Sequence, residues 1–177
     1  MIKDFKKWIK EIEVEALAEK HSKAQKKGDV SQWRKEIWKS PEKNKAIKRR
    51  FRDEGFKLGY KSRPSYISGA GEWLYDFVWR EFDAEDNLVR VVLTMEIEVS
   101  EMNEKGIKYD FNKLLQADSD FKILVFQLKT ESDVKAALST FSNAAKCYKA
   151  KSNSEFLLCG WCTSLNQFIF ENFNVVA

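Results

Sequence analysis

Three carboxylates stand where apolar side chains would be the ordinary choice. Asp76 interrupts the aromatic run EWLYDFVW, and Glu96 and Glu98 interrupt the run LVRVVLTMEIEV. Side chains alternate faces along an extended strand. Glu96 and Glu98 therefore share one face with Val92 and Thr94, the two acids about 7 Å apart by the usual rise. Asp76 shares a face with Leu74 and Val78, while Tyr75, Phe77 and Trp79 take the other. If the two runs pair with Asp76 near Glu96, all three carboxylates converge. Such a group repels itself and raises its own pKa values unless a cation sits within it. Oxygen donors at this spacing suit Mg²⁺ or Mn²⁺, ions that keep several waters and bridge to phosphate. The chemistry indicated is that of a divalent-metal nuclease.

The elements that must position these residues are legible in the pattern. Residues 2–27 have the apolar spacing of an amphipathic helix, with Ile2, Phe5, Trp8, Ile9, Ile12, Leu17 and Ala18 on one side and Gly28 as its stop. A second helix is expected over 30–39, where Val30, Trp33, Ile37 and Trp38 form a stripe. A third begins at Ser40-Pro41-Glu42 and runs to about Asp53, with serine as cap and proline at the first helical position. Residues 55–71 are punctuated by glycine, proline and serine and read as loop with one short strand. Residues 72–82 and 88–99 read as a hairpin about the DAEDN turn, 107–117 as a short helix and 121–128 as a buried strand. Ser132-Asp133 opens a helix to about Ala150, and strands at 155–162 and 167–172 close the chain. The expected fold class is therefore α/β: a mixed central sheet flanked by helices, with a helical N-terminal extension. Residues 1–177 are expected to be one domain, with 1–54 packing on a core formed by 55–177.

This arrangement resembles the PD-(D/E)xK nuclease superfamily, whose fold is the restriction-endonuclease-like one. Its signature is an acid on one strand, Glu-x-Lys on the next, then a helix and a further strand. Asp76 matches the first acid and Glu96 the second; Glu98 stands where the family usually carries lysine. Some branches have Glu-x-Glu there and supply the basic group from the following helix, where this chain has Lys113 in the run Asp110-Phe111-Asn112-Lys113-Leu114-Leu115. The stretch also resembles uncharacterised bacterial proteins assigned to the superfamily. The resemblance covers 72–128 and says little of 1–54 or of the C-terminal strands. It implies metal-assisted phosphodiester hydrolysis, with Asp76, Glu96 and the Ile97 carbonyl on Mg²⁺ or Mn²⁺, and Lys113 orienting water or offsetting charge. It implies that Glu98 binds a second metal or holds Lys113, and that Glu54 adds a further carboxylate. Many members act as dimers or in larger assemblies, so a homodimer is among the expectations.

Composition bounds the reading. With 44% hydrophobic residues the chain can build a core, and its net charge of +4 is compatible with a nucleic-acid partner. The resemblance implies DNA rather than RNA. Basic residues crowd the stretch from Lys39 to Arg63, making Lys45, Lys48, Arg49, Arg50, Lys57, Lys61 and Arg63 the candidate nucleic-acid contacts. The same run also fits a solvated helix face. Three cysteines without a secretory signal indicate a reducing, cytoplasmic setting, and no apolar run is of membrane-spanning length. Cys159-Gly-Trp-Cys162 matches C-x-x-C but lies inside an apolar strand-like run, which favours buried structural cysteines over redox or metal work. His21, the one histidine, reads as an exposed helix residue, leaving no case for histidine-based catalysis. Glu96 and Glu98 also fit the wet face of an amphipathic strand, Lys113 a surface position, and Asp110 a helix cap. The alternative function is thus a non-catalytic nucleic-acid- or protein-binding module that keeps the nuclease-like fold.

Overall fold

The computed structural model describes residues 1–28, 38–66, 71, 74–100 and 102–177. The helix expected over 30–39 falls, except for its last two residues, outside the described residues, as do Glu72 and Trp73. The elements are α1 (Ile2–Lys26), α2 (Ser40–Lys57), β1 (Lys61–Arg63), β2 (Phe77–Phe82), β3 (Leu88–Glu98), α3 (Glu104–Gln116), β4 (Phe121–Leu128), α4 (Glu131–Cys147), β5 (Ser154–Cys162) and β6 (Gln167–Val175). The protein is α/β, with these helices flanking a six-stranded mixed sheet whose spatial order follows the chain, β1 to β6. β1, β2 and β3 pair antiparallel, β3, β4 and β5 pair parallel, and β6 returns antiparallel. The two parallel joints are those bridged by α3 and α4, because parallel neighbours need a crossover long enough to hold a helix.

Alternation along the strands divides the core into two layers. Phe77, Trp79, Leu93, Met95, Ile97, Ile123, Val125, Leu157 and Cys159 face α1 and α2, meeting Phe5, Ile9, Ile47 and Phe51. Leu124, Phe126, Leu128, Phe156, Leu158 and Cys162 face α3 and α4, meeting Ile107, Phe111, Leu114, Val134 and Leu138. Residues three apart on a strand point to opposite faces, so Cys159 and Cys162 lie in different layers and cannot act as a C-x-x-C pair. The N-terminal helices share the sheet's core. The buried Glu13 of α1 accepts a hydrogen bond from the Phe168 N–H of β6 (2.8 Å) and pairs with Lys10.

Several boundaries differ from the expectations. α2 runs past Asp53 to Lys57, because Gly55 serves a close approach instead of a helix stop: a Cβ there would sit 2.3 Å from Trp79 Nε1. Leu58 is the C-cap of α2, followed by Gly59 at φ +85, the left-handed conformation glycine permits. β2 starts at Phe77 instead of residue 72, since Leu74 adopts φ 61 and breaks the extended run. Register shifts in the β2–β3 pair, with Trp79 opposite Leu93 but Arg80 opposite Val91, mark a bulge at Val92. Val92 therefore packs in the α1/α2 layer instead of sharing the Glu96 face. α4 is capped by Thr130 Oγ1, which accepts from the Asp133 N–H, and stops at Cys147. His21 is half-buried instead of exposed. β6 extends to Val175. Among the described residues, no helix is long and apolar enough to cross a membrane.

Candidate active site

Asp76 and Glu96 meet because of how β2 pairs with β3. Phe77 lies opposite Met95 and Val78 opposite Thr94, which carries the residue before Phe77 to the level of Glu96. Asp76 itself sits just ahead of β2, and its Oδ2 accepts a hydrogen bond from the Ile97 N–H at 2.7 Å. The Ile97 backbone group shown to engage Asp76 is thus its N–H; the resemblance assigned the carbonyl to a metal.

Glu96 is the most deeply buried of the carboxylates, with about 1% of its surface exposed. It points toward α3, on the face it shares with its β4 partner Leu124. The Lys113 ammonium lies 2.6 Å from Glu96 Oε1, an ion pair. Lys113 also reaches Asp110 Oδ1 at 3.7 Å, one helical turn back on α3. Burial pushes the Glu96 carboxyl up to about 7; the Lys113 ammonium opposes this rise and the charge of Asp76 adds to it. Asp110 is raised for the same first reason, burial, with Lys113 lowering it and Asp76 and Glu98 raising it further. Burial disfavours the charged form of Lys113, but Glu96, Asp110 and Asp76 outweigh that and raise it above the ordinary lysine value.

α3 brings Lys113 here by a simple periodicity. Ile107, Phe111, Leu114 and Leu115 form its buried stripe, and Asp110 and Lys113, three apart, flank it on the side of β3. The helix is capped by Asn103, whose side chain accepts from the Lys105 N–H at 3.0 Å. Asp110 is thus a mid-helix residue of the cluster and not a cap. Glu98 shares the Glu96 face but turns to the end of its strand, where Oε1 accepts from the Ser100 hydroxyl (2.7 Å) and N–H (3.2 Å). Glu54 pairs with Lys57 at 3.0 Å on α2.

Two neighbours were not among the expected catalytic residues. Tyr75 stands with its ring centroid 5.9 Å from Lys113 Nζ, and burial first, then Glu96, raises its hydroxyl pKa. Strict alternation put Tyr75 on the face of Phe77 and Trp79; it lies ahead of β2, which starts at Phe77, and stands by Lys113 instead. Lys48 of α2 reaches Asp76 Oδ1 at 3.8 Å from the other side of the sheet. It had been counted only among the basic candidates, since helix spacing carries no information about which strand lies opposite.

Those basic candidates divide. Lys45, Lys48 and Arg49 line a cleft of about 630 Å³ together with Arg52, Asn44, Pro41, Pro64 and Gly71. Arg50 instead bridges to Glu11 (2.6 Å) and Glu15 (2.8 Å) on α1. Lys57 pairs with Glu54, and Lys61 with Asp86. Arg63 lies opposite Val78 in β1. Arg52, absent from the expected set, is the fourth cation of the cleft.

Among the described residues, no three His, Cys, Asp or Glu side chains are gathered as a ready-made metal cage. The donors at the cluster are nonetheless of the kind a hard divalent cation takes: the carboxylates of Asp76 and Glu96, with Asp110 beside them. Burial first, and the charge of Asp76 in addition, raises the protonation equilibria of Glu96 and Asp110, and a bound cation would favour their charged forms. The chain matches no protein-family profile, no curated protein and no solved structure.

Proposed function

We propose that the chain is a divalent-metal-dependent nuclease of the restriction-endonuclease-like class, hydrolysing phosphodiester bonds in DNA. The observation that carries this reading is the Lys113–Glu96 ion pair, set beside Asp76 at the point where β2 meets β3. The order α2, β1, β2, β3, α3, β4 supports the class, with its antiparallel β1–β2–β3 and parallel β3–β4 pairing. Asp76 and Glu96 would hold Mg²⁺ or Mn²⁺, with Glu98 on the same strand face available to a second ion. A bound ion would acidify a water and offset charge on the phosphate. Lys113, kept protonated by its acidic neighbours, orients the attacking water or faces the anionic phosphate oxygens. Asp110 fixes the direction of Lys113. Lys45, Lys48 and Arg49 present positive charge to the backbone on the opposite side of Asp76.

The second reading is a non-catalytic binding module. It is favoured by the mutual neutralisation of Glu96 and Lys113 and by the Ile97 N–H already engaged on Asp76. Cleavage of labelled DNA with Mg²⁺ or Mn²⁺ separates the two. The nuclease reading expects metal-dependent products that disappear in Asp76→Ala and in Glu96→Ala while far-UV circular dichroism stays native. It also expects calorimetric uptake of Mn²⁺, in the presence of uncleaved DNA, that Glu96→Ala removes. Undiminished cleavage in both variants overturns the assignment, and binding without turnover selects the module.

A further inference from the structure

The basic cleft does not stop at its cations. Arg52 lies 4.3 Å over the ring of Tyr66, and Tyr66 packs edge-to-face with Phe56 at a centroid distance of 6.1 Å. Both rings face solvent: Phe56 is 71% exposed and Tyr66 57%. The Tyr66 hydroxyl donates to Asp53 Oδ1 at 2.7 Å, which pins the ring in place. Arg52 in turn donates to the Ser65 carbonyl at 3.5 Å and stands 3.9 Å from Asp53. A phenylalanine at the last turn of a helix has no reason of stability to lie open to water. An oriented aromatic pair next to a row of four cations has the composition of a surface that takes alternating phosphates and flat rings. In a duplex the faces of the bases are stacked on one another, whereas in an unpaired strand they are free for aromatic side chains.

We propose that the cleft and the Phe56–Tyr66 pair form a groove for an unpaired nucleic-acid strand. Phosphates lie along Lys45, Lys48, Arg49 and Arg52, and bases pack on the exposed surface of Phe56 and Tyr66. Lys48 belongs both to this wall and to the Asp76 ion pair, so a strand held in the groove passes Asp76. This names the substrate class of the nuclease reading and rests on that reading only for the fate of the strand; the groove binds without a metal.

The test is fluorescence anisotropy in EDTA with a labelled deoxyoligonucleotide of about 16 nucleotides, single-stranded and as a duplex. The full-length protein is used throughout. The single strand is expected to bind at least about tenfold more tightly than the duplex. Phe56→Ala and Tyr66→Ala each weaken single-strand binding about ten- to a hundredfold and leave the duplex affinity unchanged. Tyr66→Phe weakens single-strand binding less than Tyr66→Ala, since the ring remains and only the hydroxyl bond that pins it is lost. Lys45→Ala and Arg49→Ala weaken binding and flatten its salt dependence by roughly 0.7 in log–log slope each. Equal or tighter duplex binding, indifference to both alanine variants at the rings, or no binding by the wild type overturns the groove. Cleavage with Mg²⁺ that shows no preference for unpaired strands overturns the groove and leaves the nuclease reading intact. Single-strand binding with the expected ring dependence but no metal-dependent cleavage supports the groove and overturns the nuclease.

Discussion

Lys113 Nζ lies 2.6 Å from Glu96 Oε1, joining a helix to the strand two elements' width away from the sheet edge. The acid is buried and the base is 31% exposed, so the pair links the interior of the sheet to the solvent edge of α3. Removing either partner has consequences that can be measured without any substrate.

Lys113→Ala leaves the Glu96 carboxylate buried without its ammonium. Breaking a buried pair from one side costs about 3–5 kcal/mol, and the partial exposure of Lys113 lowers this to roughly 1–3 kcal/mol. The loss is expected in full at pH 8, where Glu96 is ionised, and largely absent at pH 5, where Glu96 takes up a proton. Urea unfolding at both pH values reads it. The second substitution in a double-mutant cycle with Glu96→Gln should cost little beyond the first. An equal loss at both pH values, with additive single effects, would sink the coupling.

Glu96 also fixes the sign of a pH dependence. Its carboxyl is raised from the ordinary 4.5 to about 7 in the folded protein. Between these values the folded state keeps a proton that the unfolded state has released. Stability attributable to Glu96 is therefore present at low pH, falls as pH rises from about 4.5 to about 7, and is level above. In metal-free protein, wild type should lose stability relative to Glu96→Gln across that window, by on the order of 1 kcal/mol per pH unit. A difference that grows in favour of wild type with rising pH would contradict the burial argument.

Gly55→Ala tests the contact that holds α2 on β2. The new Cβ would fall 2.3 Å from Trp79 Nε1, whose N–H donates to the Phe51 carbonyl at 2.9 Å. Trp79 is fully buried, so relief requires moving the indole or the helix. The expected destabilisation is about 1–3 kcal/mol, seen as a lower midpoint in thermal unfolding. Because Lys48 lies on the same helix and reaches Asp76, the variant should also change DNA binding more than its distance from the cleft would suggest. Unchanged stability would mean that α2 is not clamped at this point.

Much of the architecture was legible in the sequence. The hairpin of β2 and β3 and the crossover through α3 follow from local periodicities, whereas Asp76 near Glu96 was a condition on the pairing register, which only the structure supplies. Glu96 and Glu98 lie two apart on a strand, and Lys113 lies on the helix that must cross back over that strand. Where the reading failed, a nonlocal contact overrode a local rule. Gly55 reads as the start of a loop, but its closeness to Trp79 keeps it within α2, and Tyr75 leaves its expected face because β2 begins only at Phe77. Asp110 resembled a cap because caps are chosen by local chemistry, and Asn103 stood seven residues earlier to do that work.

By itself, the sequence determined the element types, the acidic pair on one strand face and the lysine on the next helix, since each depends on spacing along a single segment. Only the tertiary structure decided which cations serve the cleft and which are consumed by Glu11, Glu15, Glu54 and Asp86. It alone set Lys48 against Asp76 and Arg52 over Tyr66. Ion pairing and ring contact act over a few ångströms between residues far apart in the chain, and such distances are fixed by how helices dock on the sheet.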